Sequence, residues 1–520
     1  MAGATLLLAM PIAIEAQTWN EDFINQPFNL RYASLNPTRI ADNHVNNFAV
    51  GHVGYTWGRG DYHAIEQSGR ANELTAYIGG LRRIGRVDLQ GHLRYRNLTE
   101  NDQAWSTALW NLRDNPFMLC DSIPGDATTE SFDMSAKAAY PFNERLRGAI
   151  EVGISTGKRS DQNDPRPRTT TSAIPVTLGI DYAIGEAWRL GLAAGIRYFS
   201  SGVDYTNTQQ SATKFYFIMK GMGDYQKRST ADYTSYTRDY TGMTYRAALS
   251  ATWSPADARV ANHVEAGFAA ANEDARDGGT AYEYKGGDYS QTAFSVSDRL
   301  RIRANERMLH NISLCASMLN GKATWYDQKR ETDLDHGNLQ YYRVLGSSVV
   351  QKTQRINATL GYEFHLLRQG ERDLYAGVQA GMTAITHKHF VGTIVPKQSI
   401  ARIDIDAHAG KSFAIRRATL LAQVNGGYTL PVTKYYANGS TLSGTDDISG
   451  AYTRRIFEYE TAPHAHVGIV ADASMPAGKK LAVGLHAGAD VSIYTGTQEY
   501  WRGFDGHSYT RVQIGAYLKF

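Results

Sequence analysis

The sequence predicts an all-β protein, a single transmembrane antiparallel up-and-down β-barrel of about 18 strands, roughly 14–20 at the limits. Three observations predict it. Apolar and polar residues alternate strictly over stretches about 11–15 residues long, the length of a tilted strand crossing a bilayer. Short and long connections alternate between those stretches, as turns and loops do at the two rims of such a barrel. The last alternating stretch ends on an aromatic, Phe520.

Composition agrees. The 520 residues include 49 Gly and 32 Tyr but only 14 Pro and 2 Cys. Mean hydropathy is −0.40, a soluble-looking value that a barrel also shows, because only every second residue meets lipid. The formal net charge of +3, from 54 basic and 51 acidic residues, offers no electrostatic case for nucleic acid. Cys120 and Cys315 lie far apart and form no metal or redox spacing. A soluble sandwich would use strands of about 5–6 residues, and a propeller would repeat at roughly 40–50 residues; neither pattern is present.

Taken in order, residues 1–16 read as an apolar signal peptide without a basic start, residues 17–46 as a polar periplasmic or hatch segment, and 47–520 as the barrel. Strands are expected over Arg86–Arg96, Leu146–Thr156, Ile174–Tyr182 and Leu481–Ile493, each with apolar residues on one face. The final strand sets Val512, Ile514, Leu518 and Phe520 against Arg511 and Lys519. Short turns are expected between Ile78 and Val87, Tyr140 and Leu146, Ile184 and Leu190, Trp253 and Val260, and Ala304 and Leu309, with three more at 366–372, 411–417 and 476–480. Long loops are expected over Asn97–Glu130, Ser200–Gly242, Tyr326–Val349 and Leu430–Ala462.

The terminal Phe520 resembles the assembly signal of outer-membrane barrels, which implies the outer membrane of a Gram-negative bacterium, with lipid, lipopolysaccharide and the barrel-assembly machinery as partners. Ser34-Leu35-Asn36-Pro37-Thr38 resembles the Asn-Pro-Ala element in the N-terminal hatch of long-chain fatty-acid-transporter-like barrels, with Thr38 in place of the alanine. That resemblance implies a hatch inside the barrel. The whole-chain pattern is similar to the large outer-membrane barrels of Bacteroidota.

The face opposite the apolar one lines the lumen, and it is polar with both signs of charge. Arg299, Arg301 and Arg303 stand one above another, as a positive ladder for anions would. Arg94, Arg96, Arg355, Arg402, Asp404, Asp406, Asp490 and Arg511 complete the expected pore lining. The rival reading pairs these charges with neighbours to brace the wall. His464 and His466, with the row Asp404, Asp406 and His408, are too few to define a metal site, so no metal or other cofactor is expected. A membrane hydrolase would need a base near the rim, where His387 and His389 are candidates, but no motif accompanies them and no enzyme is expected. Tyr225, Tyr233, Tyr236 and Tyr240 give the second long loop flat amphipathic surfaces suited to a sugar or a membrane-protein partner. The expected function is a porin-like channel for passive uptake of small solutes. The alternative is a closed barrel serving as accessory or scaffold subunit of an uptake or secretion complex.

Overall fold

Period-two alternation makes a wall with two faces. Along Val87–Gln103, Leu89 and Leu93 point outward and are exposed, while Asp88 is buried and His92 turns inward to Asp133. The structure, a computed structural model, describes residues 25–45, 47–208, 213–222, 224–231, 235–256, 259–278, 283–335, 339–390, 395–437, 448–478, 480–496 and 506–520. The expected signal peptide at 1–16, the start of the 17–46 segment and Tyr233 lie outside the described residues.

Eighteen strands form one closed sheet, each antiparallel to the next in chain order, from Phe48–Gly60 to Ser508–Lys519. The last strand pairs back onto the first, with Lys519 opposite Val50 and Ile514 opposite Tyr55. Phe520 extends this seam: its N–H donates to Ala49 at 2.8 Å, and its carbonyl accepts from Ala49 at 3.1 Å. No described helix is long and apolar enough to cross a membrane.

All eight expected short turns gather at one rim, between strands that end and resume at 84 and 87, 141 and 146, 184 and 188, 253 and 260, 303 and 308, 368 and 371, 415 and 418, and 476 and 482. The tightest of them put Gly85 at φ 59° and Gly370 at φ 83°, where a side chain would be strained.

The opposite rim departs from expectation. Strands run from 12 to 30 residues rather than 11–15, because many continue beyond the bilayer as hairpins. Tyr326–Val349, expected as a loop, is mostly strand: Met308–Asp333 and Leu339–Arg368 pair along their whole length. Register shifts at Ala323/Thr324 and Asp327/Gln328 break the alternation there, which is why the sequence pattern fades. The Leu430–Ala462 connection holds a helix, Ile448–Glu460, that was not expected. The first two long loops contribute a small inner sheet, in which Leu119–Cys120 and Asp224–Ser229 flank Phe215–Gly221. Both cysteines are free thiols.

Outside, Val53, Ile78, Leu249, Leu360, Val467 and Leu485 are each more than half exposed. A belt of that kind around a whole wall is stable against lipid and not against water. Val512 and Ile514 belong to it. Replacing either with Asp puts a carboxylate into the belt at a cost on the order of 1–3 kcal/mol. The expected result is less heat-modifiable folded barrel on an unheated gel; wild-type yield from both variants would refute the outward assignment.

Candidate functional site

A ring of eighteen strands encloses more space than its own side chains fill. This chain fills it from both ends with its own segments.

At the short-turn end, residues 25–45 lie within the wall. Asn36 caps a short 3-10 helix, Pro37–Asp42, its side-chain oxygen accepting from the Thr38 N–H at 3.1 Å. Its amide nitrogen donates to the Ile180 carbonyl at 3.0 Å and to Asp181 at 2.9 Å. Gly179 permits this approach, since a Cβ there would sit 2.0 Å from the Asn36 oxygen. Arg31 forks onto Asp181 at 2.7 and 3.1 Å and also reaches Asp42 at 2.9 Å. The Arg31 and Asp181 side chains are 2% and 1% exposed, so each charge depends on the other. Asp42 accepts from Arg147 at 2.9 Å. Glu265 accepts from the Leu35 N–H at 3.0 Å and from the Ser34 hydroxyl.

At the long-loop end, the first long loop folds inward and is clamped by wall residues. Arg355 holds Asp114 at 2.6 and 3.2 Å. Glu273 accepts from Asn115 at 2.9 Å and from the Leu112 N–H at 2.7 Å. Arg238, wholly buried, pairs with Asp277 and donates to the Phe117 carbonyl at 3.3 Å. Phe117, Leu119, Ile218, Tyr216 and Tyr240 then form an apolar core inside the barrel. Tyr452 of the unexpected helix packs on Trp105, with ring centroids 5.0 Å apart, and its hydroxyl donates to Glu66. Burial pushes the Asp121 carboxyl of this loop up to about 6, against the hydrogen bonds it accepts from Ile123 and Tyr205.

The expected pore residues are mostly engaged. Arg299 donates to the Gln26 carbonyl at 2.8 Å and lies 4.1 Å over the Tyr32 ring, and Arg301 donates to the Phe28 carbonyl. The ladder therefore grips the N-terminal segment instead of facing an open lumen, and its third member, Arg303, is exposed near the rim. Arg96 forks onto Glu73 at 2.5 and 3.0 Å, and Arg94 lies 5.6 Å over Tyr77. Arg402 is 3.7 Å from Asp404, which accepts from Thr429 at 2.6 Å. Asp406 meets His466 at 3.1 Å across the intervening strand, over Gly427. Asp490 stands opposite Arg511.

The tyrosines pack inward too. Tyr240 is 1% exposed and accepts from the Leu119 N–H at 3.1 Å. The Tyr236 hydroxyl donates to Asp277 at 2.9 Å, and Tyr225 stacks edge-on against Phe217. Presentation of Tyr240 to a partner is thereby corrected, because the inner core needs its ring. His387 bonds Thr353 at 2.9 Å, and His389 lies 3.3 Å from Asp224. Among the described residues, no three His, Cys, Asp or Glu side chains converge on a metal position. Sequence reading could place Asp181 and Glu265 on the inner face; it could not identify Arg31 or Asn36 as their partners, which lie 150 and 145 residues from Asp181.

Two predictions follow from this geometry. Asp181→Ala leaves a buried guanidinium short of its main partner, at a cost of about 3–5 kcal/mol. Trypsin should then cut at Arg31 and Arg39 faster while the barrel stays folded; unchanged cleavage would show that the pair does not hold the segment. For Asp121, the folded loop binds the proton more tightly than the unfolded one. Docking is therefore strongest below the ordinary carboxylate pKa of about 4 and weakens as pH rises through about 6. Hydrogen exchange over 104–124, corrected for intrinsic rates, should be slower at about pH 5 than at about pH 8, and Asp121→Asn should remove the difference. An equal pH response in that variant would assign the effect elsewhere.

No curated protein sequence matches the chain. Among solved structures, the ferric preacinetobactin receptor BauA from Acinetobacter baumannii aligns at 11% identity and TM-score 0.40, over 92% of this chain and 80% of its own. The RagAB peptide importer in its closed-closed state aligns at 7% identity and TM-score 0.40, over 92% and 87%. The copper transporter OprC aligns at 9% identity and TM-score 0.39, over 92% and 81%. Residues 37–520 match a family of unknown function, DUF6850, and the chain belongs to that family.

Proposed function

We propose that the protein is an outer-membrane transport barrel of a Gram-negative bacterium, of the large Bacteroidota type, closed at rest and opened when its inner segments give way. The observation that carries this reading is the Arg31–Asp181 anchor, which fixes residues 25–45 across the lumen. A passive porin would leave its ladder of arginines free to meet anions; here Arg299 and Arg301 hold backbone carbonyls of that segment. In this reading the segment acts as a hatch, and the inner sheet with its loop forms a second closure at the other rim. The solute is small and polar, because the wall presents paired charges and hydroxyls instead of an apolar track.

A second reading, an accessory subunit of an uptake or secretion complex, is favoured by one feature. The hairpin tip of Met308–Asp333 and Leu339–Arg368 exposes Leu334, Leu339, Tyr341, Val344 and Leu345. Apolar side chains on a projecting hairpin suit a protein partner.

Planar-bilayer recording tests the first reading. The wild-type barrel should be silent or flicker rarely, and Asp181→Ala should raise the open fraction at least about tenfold, as expected when a few kcal/mol of closure are lost. Steady porin-sized conductance of the wild type would sink the closed reading. Silence of both proteins would move weight to the accessory subunit.

A further inference from the structure

On the outward face, four lysines stand side by side on four consecutive strands. Lys322 is directly opposite Lys352, Lys352 opposite Lys388, and Lys388 opposite Lys397. Each shares its face with lipid-facing residues of its own strand: Met318, Ile356, Met382 and Ile405. Side chains directly opposite in an antiparallel pair lie about 5 Å apart at Cβ, and like charges there destabilise the sheet. Among the described residues, none of the four forms an ion pair with a carboxylate. The nearby outward Asp288 is engaged by the Tyr326 hydroxyl. Lys352 and Lys397 meet only ring faces, Phe390 at 5.7 Å and Tyr435 at 5.6 Å.

The row has a definite height. Lys322 is fourteen residues beyond Met308, where its strand leaves the short-turn rim. At about 3.3 Å per residue and a tilt of about 40°, that is roughly 35 Å up the wall, just past an apolar belt about 25 Å tall. At the Lys322 end the wall has an open depression in which Lys322, Lys352, Asn272, Ser290 and Asn320 stand beside the apolar Tyr245 and Ala270. Two ammonium groups beside hydroxyls and amides form a donor set for a phosphate, and it opens where lipid headgroups lie.

We propose that this row and its depression bind the phosphate groups of an anionic glycolipid in the outer leaflet. The inference rests on the outer-membrane placement proposed above. Two outward carboxylates, Asp288 and Asp274, stand near the Lys322 end; the lipid phosphates supply counter-charge along the rest of the row, and the lysine repulsion becomes a binding site instead of a defect.

The test uses the full purified barrel in neutral detergent micelles doped with diphosphorylated lipid A or with its dephosphorylated form. Wild type should bind the phosphorylated lipid at least about tenfold more tightly than the K322Q/K352Q/K388Q/K397Q variant. High salt should shrink that gap. The corresponding four-arginine variant should keep the binding, and K322Q/K352Q alone should lose most of it. Heat-modifiable mobility confirms that each variant is folded. Equal binding by wild type and the glutamine variant, or equal binding of the two lipids by wild type, would overturn the proposal. Micelle binding does not depend on where the protein resides in the cell, so fractionation tests the outer-membrane placement separately.

Discussion

Backbone hydrogen bonding inside lipid governs this molecule. A peptide group in the hydrocarbon region has no water to turn to, so a sheet that enters must close on itself. Closure is supplied by the seam between Phe48–Gly60 and Ser508–Lys519, continued by Ala49 and Phe520. Once the ring is shut, its circumference follows from the strand number, and with it comes an interior that a single layer of side chains does not fill. The inward arginines and carboxylates, the N-terminal segment and the inner sheet all answer that one geometric demand.

The manner of filling is electrostatic at one end and mixed at the other. Near the short turns the contacts are charge-assisted: Arg31 on Asp181, Arg147 on Asp42, and Glu265 on the Ser34–Leu35 turn. Such bonds are directional, and each partner is costly to strand alone, which suits an element that docks in one pose. Near the long loops, ionic clamps from Arg355, Arg238 and Glu273 surround an apolar cluster built on Phe117, Leu119 and Ile218. That end resembles a small soluble core set inside a membrane wall.

The wall was legible in the sequence because alternation is a local signal. Leu89 and Leu93 against Asp88 and His92 reveal their faces without any knowledge of neighbours, and so do the eight tight turns. The interior was legible only halfway. Alternation puts Arg299 and Arg301 inside, but whether an inward arginine meets water, a carboxylate or a carbonyl depends on Gln26 and Phe28, which reach them from the other end of the chain. The helix Ile448–Glu460 escaped for another reason: it is short and carries no clear apolar stripe, and its place is set by Trp105 and Phe217 from distant loops. The outer hairpin escaped because two register shifts scramble its period.

That hairpin has a consequence of its own. Strand Met308–Asp333 pairs with Tyr284–Arg303 only as far as Thr324, and Leu339–Arg368 pairs with Glu371–His389 only from Gln351. Beyond those points, among the described residues, the two strands share a sheet ladder with each other alone, and Lys285 reaches one edge through the Gln328 side chain. Each edge presents backbone donors and acceptors at the spacing of a sheet, the form in which an extended peptide joins by β-augmentation. Lys329, Arg330, Glu331 and Arg343 along the ribbon discourage like from pairing with like. Any chain that added a strand to such an edge would be held by main-chain hydrogen bonds, so its sequence would matter mainly through its charge.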